Sequence, residues 1–515
     1  MLYVSIFVEL LRSRPALAVW LAALTQATLW FLLPSLFYSG PPGDVPFVLA
    51  IGNELQLGTY LGPPLAFWLA EGVYVLTGNS LVGIYLLSQV CVVVTYWAVF
   101  ALGRPIVGTQ HAALAVLLMV GISAFTVPTP DFGPTTLAMA LWAVILLHYW
   151  RAVAEGRRGY WVALAIEIGL LLLTTYAGLL LIGMLVLFTV ANKDARRWLR
   201  STDPWFAAFV AIVVLAPHLL WLAEADESLL VKLMRLRTPE SVVDNFNAWL
   251  RQIAFVLAAH AGLVVLVSLV IGWPWTRRQP APVVVREPPT SFSRHFVYFF
   301  AIVPVLVATV VSVLGGWTEP VGGIAPLVIL SGLAVVMAAG DGIELSHQTM
   351  VISAWFGLLL LPPLLAVFAL VLAPWVAIDL NVNKPAAAIA SYFSDSFQRR
   401  TGTPLRIVAG DPRTAALIAL GSPSRPSLYL DAMPERTPWV TLKDVQARGA
   451  IVVWPTMDTA GAPPPGIRKR FPTIVPETTR TFERPVSGML PALRIGWGVI
   501  RPQADEGARK TGDKK

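Results

Sequence analysis

Long apolar runs recur along the first three quarters of this chain and are the feature that most constrains its fold. A helix needs about 20 apolar residues to cross the hydrocarbon core of a bilayer, and we count roughly eleven such runs. Only 13% of the residues are charged, whereas soluble domains are about a quarter charged. The sequence therefore predicts an α-helical multi-span membrane protein, with spans near 16–37, 81–101, 111–128, 132–150, 160–174, 176–191, 204–222, 252–273, 296–314, 324–340 and 351–374.

Lysine and arginine residues are unevenly distributed among the short loops. If the N-terminus lies inside the cell, the inside loops carry most of them, and the outside loops carry only Lys232, Arg235, Arg237 and Arg251. Cytoplasmic loops are enriched in Lys and Arg, and this bias sets the orientation of membrane proteins. We therefore expect a cytoplasmic N-terminus, with 38–80, 223–251 and everything after about residue 375 on the outer face.

The composition changes after residue 376, where the apolar runs shorten to the length of strands. Between these runs lie two short helix-like segments, separated by Pro and Gly. We predict a transmembrane domain over 1–375, a small extracytoplasmic α/β domain with a parallel sheet over 376–502, and a disordered tail over 503–515. The predicted strands are Leu405–Ala409, Ser427–Leu430, Ile451–Trp454 and Leu493–Ile500, and the predicted helices are Thr414–Leu420 and Leu442–Arg448.

Composition also excludes several classes of function. The single cysteine, Cys91, lies in an apolar run, so a disulfide within the chain is excluded and a small core residue is expected. Six scattered histidines have no zinc-site spacing. No basic run is interleaved with aromatic residues before the tail, which argues against nucleic acid as a partner. The net charge of +8 instead fits cytoplasmic loops that face anionic membrane lipids.

The first outer loop, 38–80, contains acidic residues but neither Lys nor Arg. Because it lies between two apolar spans at the membrane surface, it is suited to a site where a lipid-borne substrate meets a polar one. Asp44 is a candidate general base, but it also stands where it could cap a helix that begins at Val45-Pro46. Glu54 is a candidate substrate contact or, alternatively, part of the solvated face of a loop helix.

The loop pattern resembles that of the bacterial polyprenyl-phosphate-sugar glycosyltransferases of the GT-C fold. These are relatives of the protein O-mannosyltransferases and of the lipid A aminoarabinose transferases. The resemblance rests first on Asp44, Gly58–Leu65 and Trp68. It continues over nearly the whole chain, with Thr129-Pro130-Asp131, Gly169–Leu173, Tyr176, Pro217, Trp221, Arg406–Asp411, Pro426–Asp431 and Gly449–Trp454.

This resemblance implies transfer of a sugar from a polyprenyl phosphate to a hydroxyl of a lipid or polysaccharide, with inversion, on the periplasmic face of a bacterial inner membrane. A carboxylate must take the proton of the acceptor, and we assign this role to Asp44. Positive charge or a divalent metal must stabilise the leaving phosphate, and no metal ligands are assigned. The predicted substrate-binding residues are Glu54, Tyr60, Pro63, Pro64, Asp131, Tyr176, Lys232, Arg235 and Arg237.

Four residues depart from the pattern of this family. Val45 follows Asp44 where an acidic pair is common, and Gly62 precedes the Pro-Pro pair in place of a basic residue. Thr175 replaces a common lysine, and Glu319 follows Trp317 where a basic residue is frequent. Two other functions therefore stay open, a transporter or flippase of lipid-linked sugar and a non-catalytic relative that binds polyprenyl lipid. A transporter would be expected to show inverted repeats, and we find none in the sequence.

Several candidates also have an ordinary structural interpretation. Asp131 could cap the span that follows it, and the Pro63-Pro64 pair could simply shape the end of the loop. Lys232 and Arg235 would share one face of a helix, where they could contact lipid headgroups instead of the donor phosphate. Glu167 lies within a span, where a charge is costly, so it is either paired inside the helical bundle or part of the site. For His218 we expect a buried, hydrogen-bonded side chain, and Tyr176 could equally be a packing residue.

Overall fold

The structure, a computed structural model, describes residues 2–127, 131–224, 242–271, 283–344, 347–430, 437–456, 459 and 461–503. It divides into two compact units. Unit 1 comprises Met1–Pro34 and Val82–Ala366, and unit 2 comprises Ser35–Leu81 and Val367–Lys515. The first outer loop thus groups with the C-terminal part of the chain. The predicted division at residue 375 assigned this loop to the transmembrane domain instead.

The described part of unit 1 is helical apart from one small pair of strands. Its helices before residue 225 are α1 (Leu2–Ser13), α2 (Pro15–Phe37, which extends into unit 2), α5 (Leu81–Val107), α6 (Thr109–Met119), α7 (Ser123–Thr126), α8 (Pro134–Val153), α9 (Tyr160–Leu172), α10 (Gly178–Ala191), α11 (Lys193–Arg196) and α12 (Asp203–Glu224). Its later helices are α13 (Val242–Ala259), α14 (Ala261–Ile271), α15 (Ser291–Gly315), α16 (Ile324–Leu327), α17 (Ser331–Ala338) and α18 (Gln348–Leu372). Strands β1 (Val283–Val285) and β2 (Gly342–Glu344) pair antiparallel.

Six helices among the described residues are long and apolar enough to cross a membrane, or up to eight if each bent pair of helices is one span. The predicted number of eleven is therefore not confirmed. Helices α6 and α9 have 11 and 13 residues. At 1.5 Å per residue they fall short of the ~30 Å hydrocarbon core. These two apolar segments were predicted to be spans, but the helices that they form are too short to cross the hydrocarbon core.

Small residues allow the helices of unit 1 to pack closely. A Cβ atom added to Gly169 of α9 would lie 2.7 Å from the Val214 side chain of α12. A Cβ atom added to Gly332 of α17 would lie 2.3 Å from the Ala115 carbonyl oxygen of α6. Such approaches are typical of membrane helices, which associate by close packing of small residues. The glycine of the Gly169–Leu173 segment therefore serves helix packing.

Unit 2 contains a five-stranded mixed sheet in the order β4-β3-β5-β7-β6. The pairs β3–β4 and β3–β5 are parallel, whereas β5–β7 and β6–β7 are antiparallel. The strands are β3 (Ile407–Gly410), β4 (Ser427–Leu430), β5 (Ala450–Pro455), β6 (Pro476–Phe482) and β7 (Leu493–Ile500). The helices are α3 (Val45–Gly52) and α4 (Leu65–Leu76) in the first outer loop, then α19 (Ala386–Thr401), α20 (Pro412–Gly421), α21 (Leu442–Arg448) and α22 (Pro465–Arg470).

The predicted α/β character of this region agrees with the structure, but the predicted parallel sheet is wrong in half of its pairings. Four strands and two helices lie close to their predicted positions. Strand β6 was missed because its sequence, PETTRTF, is polar and its burial does not alternate cleanly. An edge strand pairs on one side only and can remain largely exposed, so it carries a weak apolar signal.

Helix α3 contributes to the core of unit 2. Ala50 is buried in one cluster with Phe393 and Trp497, and Phe47 and Tyr60 pack against that cluster. Gly52 ends α3 so close to α4 that an added Cβ atom would lie 2.4 Å from the Phe67 carbonyl oxygen. The first outer loop is therefore a folded layer on the α/β sheet, with two helices of its own.

Candidate functional site

Asp44 stands at the N-terminal end of α3, as the capping interpretation predicted. Gly43 before it has a positive φ of 44°, and Pro46 occupies one of the first helical positions. The Asp44 side chain is exposed and makes no hydrogen bond to the helix N-terminus. Its φ and ψ of −94° and 4° differ from the extended conformation that capping residues usually adopt. The carboxylate is therefore not occupied by capping and can contact other groups.

Hydrogen bonds within unit 2 fix the chain just before Asp44. The backbone N–H groups of Ser39 and Gly40 both donate to the Val382 carbonyl oxygen, at 2.9 Å each. A Cβ atom added to Gly40 would lie 2.8 Å from the Asn381 carbonyl oxygen. Only glycine permits this close approach. The position of Asp44 is thus defined on both sides, by this contact and by α3.

Glu54 lies in the turn after α3, next to the edge strand β4. It is partly buried near the Ser427 side chain, and its Oε1 atom is buried without a hydrogen-bond partner among the described residues. Burial raises the pKa of Glu54, and the nearby Ser427 hydroxyl opposes this shift. The predicted solvated helix face is therefore wrong. The chain turns at Asn53 and directs Glu54 toward the α/β sheet.

Glu71 and Arg425 form an ion pair between the first outer loop and the α/β sheet region. The Arg425 guanidinium donates to Glu71 Oε2 at 2.6 Å and to the Leu49 carbonyl oxygen at 3.2 Å. It also lies 4.8 Å from the centre of the Tyr74 ring. Burial raises the pKa of the Glu71 carboxyl group, and the charge of Arg425 lowers it. Sequence reasoning missed this pair, although a lone glutamate in an apolar helix was a signal for a buried partner.

A tight turn sets the direction in which the chain enters α4. Thr59 and Gly62 exchange two backbone hydrogen bonds of 3.0 and 3.1 Å, and Gly62 adopts φ = 133°, which disfavours other residues. Pro63 and Pro64 are buried, and Pro64 directly precedes the helix. Tyr60 packs against the core of unit 2. The proline pair therefore shapes the end of the loop, as its structural interpretation predicted.

In unit 1, Tyr176 and His218 are partners. The Tyr176 hydroxyl lies 3.0 Å from His218 Nε2, and His218 is buried and stacks on Trp221 with ring centres 5.6 Å apart. The expectation that His218 is a satisfied buried histidine is confirmed. Asp131 is partly buried, and its carbonyl oxygen accepts a hydrogen bond of 3.0 Å from the Thr136 hydroxyl. Whether Tyr176 and Asp131 contact substrate stays a prediction.

Glu167 has a partner on the neighbouring helix. His148 Nδ1 of α8 lies 2.6 Å from Glu167 Oε1 of α9, and both side chains are about 15% exposed. The second carboxylate oxygen of Glu167 is buried without a hydrogen-bond partner. Of the two interpretations that the sequence left open, the structure favours a paired residue inside the helical bundle.

Lys232, Arg235 and Arg237 lie outside the described residues, so their predicted contact with the donor phosphate stays a prediction. Metal binding was likewise left open. Within the ranges that the structure describes, no three His, Cys, Asp or Glu side chains are grouped so that they could hold a metal ion.

Comparison with known proteins identifies the fold. Residues 62–221 match the family model described as dolichyl-phosphate-mannose-protein mannosyltransferase. Over 95% of this chain and 99% of the other, the structure is similar to that of ArnT from Cupriavidus metallidurans bound to undecaprenyl phosphate, with a TM-score of 0.60 and 13% identity. The chain has a GT-C fold. This result confirms the resemblance that the sequence motifs indicated.

Two further similarities accompany this GT-C match. The apo structure of ArnT from Cupriavidus metallidurans gives a TM-score of 0.56 at 12% identity, again over 95% of this chain and 99% of the other. An apo oligosaccharyltransferase from Archaeoglobus fulgidus gives 0.44 at 12% identity, over 81% of this chain and 64% of the other. No curated protein matches the chain in sequence.

Only some of the predicted site residues lie within the range that matches the family model. Pro63, Pro64, Asp131 and Tyr176 fall within residues 62–221. Asp44, Glu54 and Tyr60 precede this range. The assignment of Asp44 as the general base therefore stays a prediction from the sequence.

Proposed function

We propose that this protein is a membrane glycosyltransferase that moves a sugar from a polyprenyl-phosphate donor to a hydroxyl group of a lipid or polysaccharide. The observation that carries the proposal is the likeness of the fold, over 95% of the chain, to a protein whose structure contains undecaprenyl phosphate. The family match over residues 62–221 supports it. The multi-pass chain would lie in a bacterial inner membrane, with its N-terminus cytoplasmic and unit 2 periplasmic.

In the proposed reaction, the acceptor oxygen attacks the anomeric carbon and the polyprenyl phosphate leaves from the opposite side. One C–O bond forms as the other breaks, so the configuration inverts. Asp44 accepts the proton of the acceptor hydroxyl. The exposed carboxylate makes no capping hydrogen bond, which leaves its lone pairs available for this role.

The remaining predicted residues would bind the substrates. Tyr60 and the Pro63-Pro64 turn give the loop a fixed surface, because they are packed on unit 2 or buried within it. The leaving phosphate requires positive charge, for which Lys232, Arg235 and Arg237 stay the candidates. A divalent metal could share that role. Glu54 is better suited to positioning the loop than to proton transfer, because its carboxylate is partly buried near Ser427 of strand β4.

The substitution Asp44→Asn tests the proposal directly. Asn keeps the size of the side chain and the capping ability of Asp, but it removes the base. Loss of a general base typically lowers a rate by about a hundred- to ten-thousandfold. We expect the variant to insert and accumulate like the wild type, yet to fail to restore the envelope glycan of a deletion strain, as measured by mass spectrometry of its lipids and polysaccharides.

Glu54→Gln serves as the matched control, because it changes the next carboxylate of the same loop. We expect it to restore the glycan to nearly wild-type levels. If Asp44→Asn restores the glycan fully, Asp44 is not the base. If the deletion strain loses no glycan at all, the non-catalytic lipid-binding relative becomes the better interpretation.

A further inference from the structure

A short basic segment, Lys193–Arg200, follows α10 in unit 1 and turns sharply away from it. The segment consists of α11 and a 3₁₀ turn, Arg197–Arg200, and it is bent by 97° from α10. Asn192 fixes the bend, because its side-chain oxygen accepts hydrogen bonds from the backbone N–H groups of Asp194 and Ala195 at 2.9 and 3.3 Å. Since α10 is apolar throughout, a polar segment that turns away from its end lies along the membrane surface, at the level of the lipid headgroups.

The two sides of this basic segment differ in character. Ala195 is buried and Trp198 and Leu199 are partly buried, whereas the four Lys and Arg side chains are exposed. Residues three and four positions apart share one face of a helix. Trp198 Nε1 donates to the Val153 carbonyl oxygen at 3.1 Å, and its ring centre lies 6.0 Å from that of Trp161. The apolar side is thus packed on the end of α8 and the start of α9, and the basic side is directed outward.

The outward charges of the basic segment are largely not neutralised by the protein. Among the described residues, Lys193, Arg197 and Arg200 form no ion pair. The segment has four basic residues and one acidic residue. Asp203, at the start of α12, has a different partner, because its carboxylate lies 3.1 Å from Arg158. The exposed side of the segment therefore has a net positive charge and is suited to an anionic ligand.

Beside the basic segment, the start of α12 exposes large apolar side chains. Trp205, Phe206 and Phe209 are all more than half exposed, and the Trp205 indole N–H donates to the Leu199 carbonyl oxygen at 3.1 Å. Helix α12 is long and apolar enough to cross a membrane. Tryptophan is enriched where a span meets the headgroups. One surface thus offers cations at the headgroup level and, next to them, apolar side chains that continue along a span.

From this arrangement we infer that the surface binds an anionic phospholipid, with its headgroup phosphate on Lys193, Arg197 and Arg200 and an acyl chain along Trp205 and Phe209. Arginine and lysine side chains form charge-assisted hydrogen bonds with phosphate oxygens. An acidic protein segment would match the charge but would leave the apolar side chains of α12 uncovered. The lysine and arginine bias predicts that this lipid belongs to the cytoplasmic leaflet. The site is separate from the proposed glycosyl transfer, which takes place at the outer face.

The lipid that copurifies with the full-length protein tests this site. The protein is reconstituted into vesicles of equal parts phosphatidylcholine and phosphatidylglycerol and re-extracted in a mild detergent, and the bound lipid is quantified by mass spectrometry. We expect the wild type to retain phosphatidylglycerol preferentially. In the combined variant Lys193→Gln, Arg197→Gln and Arg200→Gln, this preference should fall by about fivefold for each charge removed.

The combined variant Arg12→Gln, Arg14→Gln and Arg104→Gln is the matched control. It removes three exposed arginines from the same predicted face of the membrane, at the junction of α1 with α2 and near the end of α5. We expect it to keep the wild-type preference for phosphatidylglycerol. An equal loss in the two triple variants would show a general attraction between charges and would overturn a defined site on the basic segment.

A salt series with the wild type covers the case in which the triple variant of the basic segment does not fold. Raising the salt concentration during re-extraction should release phosphatidylglycerol, because dissolved ions screen exposed charges. A wild type with no preference for phosphatidylglycerol would overturn the inference, and an acidic protein would then be the better partner for this surface. A preference that neither salt nor the triple substitution lowers would overturn it as well.

Discussion

Arg425 and Glu71 are 354 residues apart in the sequence, yet a guanidinium nitrogen and a carboxylate oxygen lie 2.6 Å apart in the fold. Their side chains are only 17% and 11% exposed. Arg425 also donates to the Leu49 carbonyl oxygen, so a single side chain contacts both helices of the first outer loop. The position of the proposed catalytic loop therefore depends on a residue of the α/β sheet region.

Substitution of one partner should destabilise this arrangement strongly. Arg425→Gln leaves the Glu71 carboxylate buried without its counter-charge, and breaking a buried ion pair in this way costs about 3–5 kcal/mol. Thermal unfolding of the full-length protein in detergent, followed by tryptophan fluorescence, measures the effect. Arg399→Gln is the control, because exposed substitutions usually change stability by less than about 0.5 kcal/mol. Equal unfolding temperatures for the two variants would contradict the importance of the pair.

The stability of the folded protein should depend on pH through Glu54. Burial raises the pKa of this carboxyl group above its ordinary value of 4.5, so the folded state holds the proton more tightly than the unfolded chain does. The resulting stabilisation is fully present below pH 4.5 and is lost as the pH rises through the raised pKa. Glu54→Gln should remove this loss.

Unfolding temperatures measured from about pH 4 to about pH 8 test the role of Glu54. The variant should gain stability relative to the wild type as the pH rises. Glu483→Gln, at an exposed glutamate of unit 2, should follow the wild-type profile. Parallel profiles for wild type and Glu54→Gln would show that the Glu54 carboxyl group does not contribute.

Reporter fusions test the predicted orientation. Alkaline phosphatase is active only after export, so a fusion after Pro385 should be active and a fusion after Arg200 inactive. The expectation follows from the excess of Lys and Arg in the loops assigned to the cytoplasm. The reverse pattern would place Asp44 on the cytoplasmic face and would remove the basis for a periplasmic reaction.

Lys232 and Arg235 should matter for the use of the donor. If they hold the departing phosphate, Lys232→Gln and Arg235→Gln should each lower the affinity for the polyprenyl-phosphate donor by about ten- to a hundredfold. The assay is sugar transfer by the purified protein as the concentration of polyprenyl-phosphate sugar is varied. Arg251→Gln, in the same predicted outer segment, is the control. Unchanged donor dependence would assign Lys232 and Arg235 to lipid headgroups.

Elements with a strong local pattern were predicted well from the sequence. Strands β4 and β7 have their predicted limits, and α21 does as well. Each combines a short apolar run or a capping residue with a clear turn signal on both sides. Thr441 even forms a complete capping box with Asp444. These features depend on neighbours in sequence, which is why pattern reasoning found them.

Features that depend on distant parts of the chain were not predicted. The contact of Arg425 with Glu71 and the contact of Glu54 with Ser427 both join segments more than 300 residues apart. Glu54 was expected on a solvated face because helix periodicity does not reveal where a helix ends. The number of spans was overestimated because apolar composition alone does not separate α6 or α9 from a longer helix.

Unit 2 is built from two separate segments of the chain, and this has a consequence for its biosynthesis. A ribosome completes Ser35–Leu81 first, then all of Val82–Ala366, and only afterwards the strands against which Phe47 and Ala50 pack. Until then α3 can pack on α4 but not on the core of the α/β region, although domains generally fold from the N-terminus during synthesis. The nascent loop would therefore depend on a chaperone, or on the membrane surface itself, until translation reaches β7.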